Sequence, residues 1–112
     1  MKTAERPDHQ ALADALKRRV LEGPGETDAA LRQAVALSAT AGPPAPPPYD
    51  ALARQIGEAA NRTTNDQVAN VVSATGSEKA TFEVIVAAAV AAGLLRWQQA
   101  INVLNEATHA PS

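Results

Sequence analysis

The sequence predicts an all-α fold. Apolar residues recur at intervals of three and four along most of the chain, which is the period of a helix face. Nowhere do apolar and polar residues alternate over five or more positions between turn signals, so no strand competes. With one Trp, one Tyr and one Phe in 112 residues, the core must be built from Ala, Val, Leu and Ile, and Ala-rich segments disfavour sheets. About five to six helices are expected, in one domain over 1–112. A chain of this size buries roughly 65% of its unfolded surface, enough for one core without staples.

The first helix is expected from about Asp8 to Leu21, with Asp8 as its cap and a narrow stripe of Leu12, Leu16 and Val20 beside Ala15. The run Lys17-Arg18-Arg19 reads as its solvated face. Gly23-Pro24-Gly25 ends it. Thr27 is the expected cap of a short second helix whose stripe is Leu31, Ala34, Val35 and Ser38. Five prolines and a glycine between Ala41 and Pro48 exclude a helix there, and 41–48 reads as a stiff connector inside the domain rather than as a ligand for a proline-binding module.

Pro48 suits the start of a third helix, on which Leu52, Ile56 and Ala59 share a face, and Asn61 to Thr63 closes it. Thr64 and Gln67 have the spacing of a capping box, followed by a stripe of Val68, Val71, Val72 and Thr75 and a stop at Gly76. Ser77-Glu78 opens the last helical region, where Phe82, Ile85, Ala89 and Ala92 line one face and Val86, Val90 and Leu94 another. Such a helix must be central or must meet a second subunit. Trp97, Ile101 and Leu104 continue its stripe. Gly93 is expected to kink or split it, or to permit close packing, because glycine costs about 1 kcal/mol there relative to alanine.

The absence of cysteine removes disulfides, zinc thiolates, iron–sulfur ligation and thiol catalysis together. A net charge of −2 with scattered basic residues gives no footprint for nucleic acid. The longest apolar run, Val84 to Leu95, has twelve residues against the ~20 that span a bilayer, so no membrane partner is expected. Residues 1–8 carry no apolar stretch of a secretory signal, which makes the cytoplasm the expected location. His9 and His109 lie near the two ends without a third ligand, so no metal or cofactor is expected. Asn61-Arg62-Thr63 matches a glycosylation acceptor and reads as incidental.

From Tyr49 to Ala107, the order and spacing of elements resemble the carboxymuconolactone decarboxylase and alkylhydroperoxidase D-like superfamily. The carriers are Leu52-Ala53-Arg54-Gln55-Ile56, the capped helix from Thr64 to Thr75, the turn Gly76-Ser77-Glu78, and Phe82 to Ala89. The resemblance implies helices packed orthogonally or as a bundle, and an oligomer. In redox-active members a Cys-x-x-Cys pair is followed by a His. Aligned from Gly76, the cysteine positions are Asn61 and Thr64 and the His position is Val68, with Val72 in an alanine position. None of these can supply a thiolate or titrate near neutrality, which excludes thiol peroxidase chemistry. The relay glutamate would align near Tyr49, while Glu58 and Glu83 read as helix-surface acids.

Three functions follow as expectations. The first is a non-catalytic protein that self-associates, with Phe82, Ile85, Val86, Val90, Trp97, Ile101 and Leu104 as the candidate interface and no catalytic residue. The second is a cofactor-free decarboxylase or lactone-type enzyme with a pocket between helices lined by Tyr49 and Trp97. The third is a helical adaptor for another protein.

Overall fold

The computed structural model describes residues 8–109, and all of its regular structure is helical. Five helices follow one another: α1 (His9–Glu22), α2 (Ala29–Ala39), α3 (Tyr49–Ala59), α4 (Asn65–Thr75) and α5 (Glu78–His109), with a 3-10 turn at Ala60–Arg62. Among the described residues there is no strand.

α5 is the central rod, and every other helix packs on it. Its inward residues Val84, Ala87, Ala88 and Ala91 share one apolar cluster with Leu21 of α1, Val35, Ala36 and Ala39 of α2, Leu52, Ala53 and Ile56 of α3, and Val71 of α4. The helices on both sides of the Pro-rich connector therefore contribute to the same core. Fully buried Val35, Leu52, Val71 and Val84 each contribute ~1.5–3 kcal/mol of transfer free energy. Small residues on the facing surfaces bring the helix backbones close. At the tightest point a Cβ on Gly57 would overlap the carbonyl oxygen of Ala39, so no other residue fits that crossing of α3 over α2.

The helix ends follow local chemistry. Asp8 accepts a hydrogen bond from the Ala11 amide at 3.1 Å. Thr64 and Gln67 form the reciprocal capping box. Gly76 ends α4 at φ 77°, a left-handed conformation that favours glycine, and donates its amide to the Val72 carbonyl. Ser77 Oγ accepts from the Ala80 amide at 2.9 Å and starts α5.

Two expectations are corrected, and one apolar face proves largely uncovered. The residue capping α2 is Asp28, without a side-chain cap bond, because the Thr27 hydroxyl is engaged elsewhere. The α1 stripe is largely in solvent: Leu12 is 59% and Leu16 45% exposed, and only Leu21 is buried on that helix. α1 joins the core through its last turn and leaves a cleft against α5 along the rest. Finally, α5 runs unbroken through Gly93, and a Cβ there would meet nothing within 4 Å, so the glycine neither splits the helix nor permits close packing inside this chain. Apolar contacts before and after it outweigh the ~1 kcal/mol cost.

The twelve-residue apolar run thus sits in a much longer helix. From Glu78 to Thr108 it is long and apolar enough to cross a membrane by length and composition, and 39% of its most apolar window is buried within the bundle. At ~1.5 Å per residue, 32 residues extend ~48 Å, most of the molecule's 53 Å length.

Candidate functional site

Two polar clasps fix the loops around α5. In the first, the half-buried Glu83 carboxylate accepts hydrogen bonds from the amides of Glu26 and Thr27, each at 2.9 Å, and from the Thr27 hydroxyl at 2.7 Å. These bonds, the Glu26 amide first and then the two from Thr27, hold its pKa at about 2 against an ordinary 4.5, with the Arg32 charge adding to them and burial opposing. Gly25 leaves the space the carboxylate needs, since a Cβ there would lie 2.8 Å from Oε1. Glu83 is therefore a loop anchor and not a surface acid.

Arg32 completes this clasp from the other side. It is 5% exposed, and its guanidinium donates to the carbonyls of Val20 at 2.7 Å, Gly23 at 2.5 Å and Thr27 at 3.4 Å. Those carbonyls lie at the end of α1 and in the turn that follows, where the helix leaves them unpaired. Nearby, Ser77 Oγ donates to the Glu26 carboxylate at 2.7 Å, which ties the same loop to the start of α5.

The second clasp centres on Asp50. Its carboxylate accepts from Ser38 Oγ at 2.7 Å, the Ala45 amide at 2.9 Å and Arg54 Nε at 3.0 Å, and these partners, Ser38 first, lower its pKa. Arg54 also donates to the Gly42 carbonyl at 3.1 Å. The Pro-rich connector is thus bound to α3 through Gly42 and Ala45, with the Ala45 side chain buried.

The positions aligned with the redox motif have structural tasks. Asn61 lies exposed in the 3-10 turn, Thr64 caps α4, and Val68 packs half-buried on the core. Tyr49 packs there too, at the opening of α3. Glu58 is exposed beside Arg54 and Arg96 in a shallow depression. Among the described residues no three His, Asp or Glu side chains gather as metal ligands.

An open cleft of about 480 Å³ separates α1 from α2 and α5. Ala13, Leu21, Ala36, Leu37, Leu94 and Trp97 form apolar walls, and Gln10, Asp14, Lys17, Gln33 and Gln98 its polar lining. Tyr49 is not among its lining residues, so the two aromatic residues expected to share a pocket are apart. The cleft contains no imidazole, and Asp14 already accepts a hydrogen bond from Gln10 at 2.9 Å.

The outer side of α5 is an extended surface feature. At 100° per residue, Phe82, Val86, Ala89, Gly93, Trp97, Ala100 and Leu104 fall on one stripe opposite the buried Val84, Ala88 and Ala91. Phe82 is 64% and Leu104 55% exposed; Ala89, Gly93 and Ala100 are exposed, and Val86, Val90, Trp97 and Ile101 half-buried. Ile85 instead packs against the core. Leu16 of α1 joins Phe82 and Val86 around a notch that also includes Val20 and Pro24 and is edged by Arg19, Arg32 and Glu83.

Charge is kept off this stripe. Between Lys79 and Glu106 the only charged residues are Glu83, tied into the α1–α2 loop, and Arg96, whose guanidinium donates to the Gly57 carbonyl of α3. Sequence periodicity identified the stripe's large residues; the pinning of its flanking charges had no local signal. Comparisons with protein-family models, with curated proteins and with solved structures gave no match.

Proposed function

We propose that this chain is a non-catalytic, self-associating helical protein of the cytoplasm, of the carboxymuconolactone decarboxylase and alkylhydroperoxidase D-like kind, working without a cofactor. The observation that carries the reading is the uncharged apolar stripe on the outer side of α5, with exposed Phe82 and Leu104 at its ends. A soluble surface rarely leaves so large a contiguous apolar area without a partner. Supporting it, Asn61, Thr64 and Val68 offer no thiol or imidazole where the redox-active members of that superfamily carry them. The enzymatic alternative would use the cleft beside Trp97, where Asp14, its one carboxylate, already accepts a hydrogen bond from Gln10.

Leu104→Asp tests the reading. Leu104 is 55% exposed and remote from the core cluster, so the variant keeps its fold, with unchanged helical circular dichroism. On size exclusion it is expected to elute as a smaller species than the parent chain, because a carboxylate buried in a subunit contact costs more than about 2 kcal/mol. Identical elution of the two as monomers removes the proposal.

A further inference from the structure

We infer that the occupant of the α5 stripe is a second copy of this chain, docked antiparallel about a twofold axis at Gly93. The inference rests on the self-association reading and specifies its geometry.

The stripe is self-complementary when reversed. Gly93 lies midway between Phe82 and Leu104, so an antiparallel copy centred there sets Phe82 against the partner's Leu104, Val86 against the partner's Ala100, and Ala89 against the partner's Trp97. Large residues meet small ones in the middle, and the one aromatic ring of the central turns faces an exposed alanine. At the crossing point Gly93 faces the partner's Gly93, and the open space around its Cβ position lets the two helix backbones approach closely. At the stripe's ends, the partner's Leu104 reaches the notch between α1 and α5, where Leu16, Phe82 and Val86 are edged by Arg19, Arg32 and Glu83. Of the charges beside the stripe, Glu83 and Arg96 are held against their own bundle, and Arg19 at the notch meets the partner's uncharged Leu104.

The area is that of a weak contact: from Phe82 to Leu104 the stripe is ~33 Å long at ~1.5 Å per residue, and two such strips ~10 Å wide hide roughly 660 Å² in total, in the range of a transient rather than a permanent interface. The expected product is a reversible dimer.

Because the chain has no cysteine, a single substitution reports the register. Gly93→Cys has room for its side chain and lies on the axis, so mild oxidation is expected to give a disulfide-linked dimer. Ala100→Cys is the control: two such residues sit ~21 Å apart along the paired helices and should cross-link at least tenfold less. A mixture of Phe82→Cys and Leu104→Cys chains should link to each other more than either links to itself. If the unmodified chain sediments as a dimer while Ala100→Cys links as readily as Gly93→Cys, the register is wrong and self-association survives. If the unmodified chain stays monomeric at hundreds of micromolar, both fall; binding of that monomer to phosphatidylcholine–phosphatidylglycerol vesicles would then give the stripe to a lipid surface.

Discussion

Glu83 shows what a single residue can hold and what a sequence conceals. In a helical pattern it is an acid outside the apolar stripe, and its partners Glu26 and Thr27 lie more than fifty residues away, so no local signal connects them. Arg32 is hidden for the same reason: its guanidinium serves carbonyls of a turn whose shape local residues do not reveal. Glu83→Gln keeps the shape and loses the charge-assisted bonds; it is expected to lower stability by about 1–2 kcal/mol, read by urea titration. The pH dependence has a definite sign. With its folded pKa at about 2 and its ordinary value at 4.5, Glu83 contributes fully above 4.5, and the contribution is lost as pH falls from 4.5 towards 2. Parent and Glu83→Gln should therefore differ at pH 7 and converge near pH 2. Arg32→Met leaves three carbonyls without their donor and is expected to cost about 2–3 kcal/mol.

The helices themselves were open to a reading from sequence wherever their ends were set locally. Asp8, the Thr64–Gln67 box and Gly76 each act within four residues, and each is where it was expected. Thr27 was misread because a threonine before an apolar stripe has the form of a cap, while a carboxylate on α5 competes successfully for its hydroxyl. In α1, periodicity reveals an apolar face and not what covers it; Leu12 and Leu16 stay in solvent. Close approach also has no periodic signal. Gly57 looks like any helix glycine, yet Gly57→Ala drives a methyl into the Ala39 carbonyl and is expected to cost about 2 kcal/mol or more, visible as a lowered melting temperature. Gly76→Ala strains a left-handed residue for about 1 kcal/mol instead, since its Cβ has open space.

As a whole, the molecule is a bundle arranged around one helix whose two sides have different fates. The inner side, Val84 to Ala91, is buried by α1 to α4; the outer side, Phe82 to Leu104, is apolar and open. Sequence periodicity showed that α5 was apolar nearly all round and that it must be central or shared. The bundle makes it central, and we propose that it is shared as well. What periodicity could not separate was Ile85, which packs inward, from Phe82, which falls outward, because that depends on the packing of α2 and α3 far away in the chain. Sedimentation equilibrium of the unmodified chain, from low micromolar to hundreds of micromolar, tests this most directly. The account predicts a mass rising with concentration from 11.6 kDa towards twice that value; a constant 11.6 kDa across the whole range would contradict it.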